Sequence, residues 1–157
     1  MASQTRKSNR KVVIASGVFD LLHLGHVRFL EDAKKAGGAS AKLVVIVARD
    51  STAEKLKGKT PIMNEAHRWA LVKSLRVVNE AVLGFEGLDI GESIKKICPD
   101  IIALGYDQTE MEQAVKTYLA DHKQPVLVVH IDKFGENTLD SSSKIKQQIL
   151  DKLTNSG

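Results

Sequence analysis

Gly17-Val18-Phe19-Asp20-Leu21-Leu22-His23-Leu24-Gly25-His26 follows the apolar run Val12-Val13-Ile14-Ala15 and leads into a helical pattern. The order reads as strand, tight turn and helix start. Gly17 and Gly25 let backbone approach a ligand closely, because neither carries a Cβ. His23 and His26 flank the point where the first amide N–H groups of a helix lack partners within it, and such a point attracts phosphate. The stretch offers hydrogen-bond donors and positive charge but no Ser or Cys paired with a base. It therefore points to phosphate chemistry without a covalent intermediate.

Outward from that stretch the chain alternates between two hydrophobic periods. Lys11–Ser16 is the first strand, and Leu24–Ala36 is a helix with Val27, Leu30 and Ala33 on one face, stopped by Gly37-Gly38. Lys42–Ala48 is an unbroken apolar run, the pattern of a parallel strand buried on both faces. Residues 49–63, charged and carrying Gly58 and Pro61, are expected to be an irregular flap beside the site. Glu65–Leu75 returns to helix, Arg76–Leu83 holds a weaker strand, and Leu88–Ile97 is a short helix closed by Pro99. Asp100–Leu104, Thr109–Ala120, Pro125–Ile131 and Ser141–Leu153 complete the order as strand, helix, strand, helix. Five such alternations without hairpin turns predict one α/β domain, a doubly wound, five-stranded parallel sheet over residues 11–157, preceded by a flexible tail at residues 1–10. Ligands bind such sheets beyond the carboxyl ends of the strands. Gly17–His26, Arg49–Lys59, Gly105–Gln108 and Asp132–Ser143 all follow a strand exit, so the four should converge on one cleft.

Composition narrows the partners. The 157 residues are 43% hydrophobic and 27% charged, as in a globular domain, and only 4% aromatic. The net charge of +4 comes from dispersed basic residues interleaved with acids, which suits small polyanionic substrates rather than nucleic acid. The lone Cys98 forbids an intramolecular disulfide and fits a reducing compartment, and is expected to be a buried structural thiol. No apolar run approaches the roughly 20 residues of a membrane span, and residues 1–10 lack a secretory core, so a cytoplasmic location without membrane attachment is expected.

Several residues admit two readings. Phe19 is either core or cleft, and Asp20 either orients the turn or meets a ligand. Asp20, His23 and His26 could form part of a zinc set, but no fourth ligand is apparent. Lys55, Lys57 and Lys59 form either a solvated face or a closing arm that neutralises triphosphate and expels water. Arg76 is either a surface cation or a phosphate contact, and Arg68 is the lesser candidate. Gly105-Tyr106-Asp107-Gln108 sits where a carboxylate could bind a ribose hydroxyl or base amine, or help hold Mg²⁺ through Asp107. Asp140-Ser141-Ser142-Ser143 is a helix start and hence also an anion site. There is no Walker motif, nor a G-x-G-x-x-G after the first strand.

G-x-F-D-x-x-H-x-G-H resembles the signature of the cytidylyltransferase-like nucleotidyltransferases, and the likeness extends over nearly all of residues 11–153. In that family the histidine box binds the nucleoside triphosphate, lysines after the second strand contact phosphates, and an arginine near the next helix positions the substrate phosphate. The resemblance thus implies His23, His26, Lys57 and Arg76 as catalytic. It implies Gly17, Val18, Phe19, Asp20, His23, Leu24, Gly25, His26, Lys59, Gly105, Asp107, Ser141 and Ser142 as nucleotide-binding. Bacterial glycerol-3-phosphate cytidylyltransferases carry an Arg-Thr pair where this chain has Glu136-Asn137-Thr138, and an acidic residue where Tyr106 stands. By contrast Ile46–Asp50, Lys57–Pro61 and Leu104–Gln108 are similar to archaeal FAD synthases. That likeness implies ATP and FMN as substrates, with Mg²⁺ or another divalent cation. The alternatives are cytidylyl or adenylyl transfer to glycerol, ethanolamine or heptose phosphate, or a non-catalytic nucleotide-binding domain. Dimers are common among such relatives, so a homodimer is admitted, though no residue demands one.

Overall fold

Val13–Ala15 and Leu43–Val47 keep almost every side chain out of water, which strands achieve only when helices cover both sheet faces. The computed structural model describes residues 10–87, 89–135 and 139–156 and has that architecture. Its strands are β1 (Val12–Gly17), β2 (Lys42–Val47), β3 (Glu80–Leu83), β4 (Ile101–Gly105) and β5 (Leu127–Ile131). The helices are α1 (Leu24–Ala36), α2 (Asp50–Lys57), α3 (Glu65–Ser74), α4 (Ile90–Ile97), α5 (Thr109–His122) and α6 (Ser142–Thr154). All strand pairs are parallel, in the order β3-β2-β1-β4-β5, with Val13 beside both Leu43 and Ile101. The order reverses direction beside β1, so β1 carries the switch point at its carboxyl end.

Each face has its own core. Val13, Ala15, Val45 and Ala103 pack with Leu30 and Ala33 of α1 and Val72 of α3, while Ile14, Ile46 and Ile102 pack with Ile94 of α4 and Val115 of α5. Burying a side chain such as Leu30 or Ile94 contributes roughly 1.5–3 kcal/mol, so these two layers dominate the stability. No helix of the described residues is long and apolar enough to cross a membrane.

Three expectations need correction. Residues 49–63 are not one irregular flap: Asp50–Lys57 is helical, with Thr52 and Ala53 buried, and Gly58 ends it in the left-handed conformation (φ 72°). Its apolar stripe is too short to register as a period. The weaker strand expected within Arg76–Leu83 is there, as Glu80–Leu83, with residues 76–79 forming the turn before it. Cys98 is exposed at the C-terminus of α4, not buried. Arg10, assigned to the tail, donates from Nε to the Ser40 carbonyl at 2.7 Å. Residues 1–9, Leu88 at the expected start of α4, and Glu136-Asn137-Thr138 lie outside the described residues.

Candidate active site

The turn after β1 is strained and tied down. Phe19 and Leu21, on either side of Asp20, have φ of 55° and 48°. Left-handed backbone in such residues costs roughly 1–2 kcal/mol each and persists only where the surroundings enforce it. Phe19 is 3% exposed and joins the core while still lining the cleft. The Asp20 carboxylate accepts from the Ile62 amide at 2.8 Å and the Met63 amide at 2.9 Å, with Lys146 Nζ 3.6 Å away. Its backbone carbonyl accepts from the Ser142 hydroxyl. Asp20 thus knots the histidine turn to the α2–α3 connection and to the start of α6. With its oxygens so engaged, Asp20 is a brace rather than a metal ligand.

Arg68 does the same from beneath. Its side chain is fully buried, and its guanidinium donates to the Val18 carbonyl at 2.6 Å, the Met63 carbonyl at 2.9 Å and Asp50 Oδ1 at 2.7 Å. Asp50 heads α2, whose last residue is Lys57, so this guanidinium sets the helix that carries the lysine. Glu65 holds Arg49 at 2.9 Å and the Asp50 amide at 2.8 Å, and those bonds, the amide's first, lower its pKa.

His23 caps α1, and its ring stacks on that of His26 with centroids 3.7 Å apart and planes 25° from parallel. Phe19 meets His26 edge-on at 5.4 Å. The His23 amide donates to His26 Nδ1 at 3.3 Å, which requires the acceptor lone pair on Nδ1 and puts the proton of a neutral ring on Nε2. Burial first, then the neighbouring His23 and Lys57, lower the His26 pKa to about 3, against a smaller opposing pull from Asp20. Burial also lowers His23, with Asp140 acting the other way. Both rings are therefore neutral near pH 7 and act as N–H donors. His23 Nδ1 is buried without a hydrogen-bond partner among the described residues.

Gly25 is required by close approach. A Cβ there would lie 2.8 Å from the Asp140 carbonyl oxygen and 2.9 Å from the His23 ring. The absence of that methyl lets the start of α6 sit against the start of α1, so two helix N-termini open into one cavity. Ser141 caps α6, its hydroxyl accepting from the Lys144 amide at 3.2 Å. Asp140 receives Lys144 at 2.7 Å and lies 3.5 Å from Lys133, and the Lys144 bond chiefly lowers its pKa. Gln108 ties β4 to β1, accepting from the Gly105 amide at 2.7 Å and donating to the Ser16 carbonyl at 2.9 Å.

The resulting cavity, about 610 Å³, lies over the carboxyl ends of the strands. Gly17, Val18, Phe19, Asp20, His23, Gly25, His26, Lys57, Lys59, Gly105, Asp107, Ser141 and Ser142 all line it. The four strand-exit segments do converge. Two candidates are left out. Leu24 is 47% exposed and its side chain does not line the cavity, although its amide opens α1. Arg76 is exposed in the turn entering β3. Helices joining parallel strands run back toward the amino edge of the sheet, so the end of α3 puts Arg76 at the edge opposite the cavity. Sequence reasoning missed Arg68 as the buried anchor, together with Lys146, Lys133 and Phe85 in the cavity wall. Only Arg68 gave a signal, a charge amid the apolar side of α3. Among the described residues no group of three or more His, Cys, Asp or Glu could hold a metal ion.

Residues 14–148 match the sequence profile of the family described as Cytidylyltransferase-like. The chain is 45% identical over 141 residues to an FAD synthase of Aciduliprofundum boonei, covering 90% of this chain and 91% of that protein. It is 46% identical over 136 residues to an FAD synthase of Methanothermus fervidus, covering 87% and 92%. A solved structure named as a lipopolysaccharide core biosynthesis protein, from Thermoplasma volcanium, is similar with a TM-score of 0.71 at 45% identity, covering 80% of this chain and 98% of that one. Pantothenate synthetase from Thermus thermophilus shares the fold with a TM-score of 0.56 at 16% identity, covering 87% and 61%.

Proposed function

The chain belongs to the cytidylyltransferase-like family, and from that membership we infer that it transfers the adenylyl group of ATP to FMN, forming FAD and pyrophosphate. An oxygen of the FMN phosphate attacks the α-phosphorus of ATP in line, and the bond from that phosphorus to the bridging oxygen of pyrophosphate breaks. A phosphate monoester has its second pKa near 6, so FMN enters as a dianion at neutral pH and needs no base to deprotonate it. This fits a site whose imidazoles are neutral donors. The observation that carries the reading is the stacked His23–His26 pair at the N-terminus of α1, lining the cavity.

On this reading His26 Nε2–H and the first amides of α1 donate to the triphosphate, and gain strength as charge develops on the leaving pyrophosphate. Lys57 and Lys59 neutralise it from the end of α2, with Gly58 between them as a left-handed joint. Ser141 and Ser142 at the start of α6, with Gly105 and Asp107 after β4, line the part of the cavity suited to the nucleoside. Mg²⁺ or another divalent cation accompanies the triphosphate, and a cytoplasmic location agrees with a single unpaired cysteine. The test offers ATP or CTP with FMN, glycerol 3-phosphate, ethanolamine phosphate or a heptose phosphate, and measures pyrophosphate and the nucleotidylated product. ATP and FMN should give FAD and pyrophosphate in equal amounts. Product from another acceptor but none from FMN would refute it.

A further inference from the structure

Three groups meet at the reacting phosphorus, and they need three directions. The pyrophosphate lies toward the histidines and lysines above β1, while the attacking oxygen must arrive from the side opposite that leaving group. The nucleoside hangs from the same phosphorus and takes a third path. The cavity has two flanks, one beyond β4 and β5 and one beyond β2 and β3, and their chemistry differs. The first carries most of the charges, Asp107, Glu110, Asp132 and Lys133, interspersed with Met111 and Phe134. The second is walled by Ala48, Leu56, Phe85 and Ile90, with the buried hydroxyls of Thr52 and Ser93.

We propose that the flank beyond β2 and β3 seats the isoalloxazine ring of the acceptor, with Phe85 as the aromatic face on which the ring stacks. This rests on FMN being the acceptor. The ring has a broad apolar edge and a pyrimidine edge of alternating donors and acceptors. The flank supplies both, aliphatic walls for one, and for the other the Ser93 hydroxyl with the Thr52 oxygen, which donates its own proton to the Gly87 carbonyl and is left an acceptor. Phe85 is 43% exposed, belongs to neither core, and has no ring or cation partner among the described residues. Tyr106 and Phe134 also face the cavity, but Lys133 lies over one at 5.7 Å and Arg28 over the other at 5.4 Å. Phe19 and Phe29 line the cavity too but belong to the core packing, which leaves Phe85 as the cavity aromatic with a face open to a flat partner. Ligand pockets are lined by aromatic side chains of this kind, placed beside a few polar groups.

Because Phe85 stands outside both cores, its replacement leaves folding intact, and the test can be kinetic. Wild type, Phe85→Ala and Phe85→Tyr are compared for KM of FMN and of ATP in the FAD-forming assay, and for FMN affinity by calorimetry in the presence of α,β-methylene-ATP. Loss of one stacked aromatic predicts a rise of about tenfold in KM and Kd for FMN in Phe85→Ala, with KM for ATP unchanged and near-normal values in Phe85→Tyr. An unchanged FMN affinity in Phe85→Ala, or a loss falling on ATP instead, overturns the assignment of this flank. Wild-type protein that forms no FAD would refute the acceptor itself, and so separates the two failures.

Discussion

Replacing Asp20 with Asn changes one atom of a nearly isosteric side chain and tests whether this carboxylate is the brace that holds the site together. Both carboxylate oxygens accept backbone amides, from Ile62 at 2.8 Å and Met63 at 2.9 Å, on a residue only 6% exposed. An amide side chain can satisfy just one of them, and its NH₂ group then faces the other N–H, donor to donor. Losing a charge-assisted hydrogen bond costs about 1.5–3 kcal/mol, and an unpaired buried N–H adds about 1–3 kcal/mol. With partial relaxation the net loss should be about 3 kcal/mol. At about 2–4 °C per kcal/mol for a chain of this size, Tm should fall by about 6–12 °C. The same change frees the segment that follows Lys59, so KM for ATP should rise together with the loss of stability. Urea unfolding followed by circular dichroism, with ATP kinetics on the same preparations, measures both. A variant within 0.5 kcal/mol of wild type, a threshold set by the usual spread of neutral surface changes, would show that the brace is not one.

His26→Ala removes one donor to the developing charge and should lower turnover roughly 10²–10³-fold, read from initial rates of pyrophosphate release. Lys57→Met and Lys59→Met should each raise KM for ATP about three- to tenfold, and the effect should shrink at high salt because both lysines are exposed. Arg68→Met leaves the Val18 and Met63 carbonyls without their donor, and should cost about 2–4 kcal/mol in urea unfolding. Arg76→Ala should leave turnover within twofold, since the residue stands at the far edge of the sheet. The pH dependence follows from a histidine whose folded pKa is depressed to about 3. Below about 6.5 the unfolded chain takes up a proton that folded His26 refuses, so stability falls with falling pH. Between pH 6.5 and 5 that one group removes about 2 kcal/mol, a slope that His26→Gln should flatten in urea titrations at the two pH values. The depressed carboxyls of Glu65, Glu112 and Asp140 act below that window.

What could be read from the chain was whatever one residue type dictates alone. Leu43–Val47 could only be a doubly buried strand, and Gly25 between two histidines could only mark a close approach at a helix start. The carboxyl-edge rule then gathered Gly17–His26 and Gly105–Gln108 correctly. What escaped were pairings between distant segments. Asp20 reaches Ile62 and Met63 across 42 and 43 residues, and Arg68 reaches Val18 across 50, contacts that no local period encodes. The α2 helix escaped for a different reason: Asp50-Ser51-Thr52 and alternating lysines give it weak intrinsic preference, and burial of Thr52 and Ala53 supplies what propensity lacks. Arg76 misled because sequence proximity to a helix says nothing about which end of the sheet that helix returns to.

The proposed chemistry requires a neutral histidine pair presenting N–H donors to a triphosphate at the start of α1. Nitrogen-15 NMR of the imidazoles, recorded from pH 4.5 to 7.5 with and without ATP, tests this most directly. The prediction is a His26 ring that stays neutral with its proton on Nε2 throughout the ligand-free titration, and an Nε2 resonance that shifts when ATP is added. A His26 ring that titrates near 6.5, or one whose Nε2 signal ignores ATP, would contradict it.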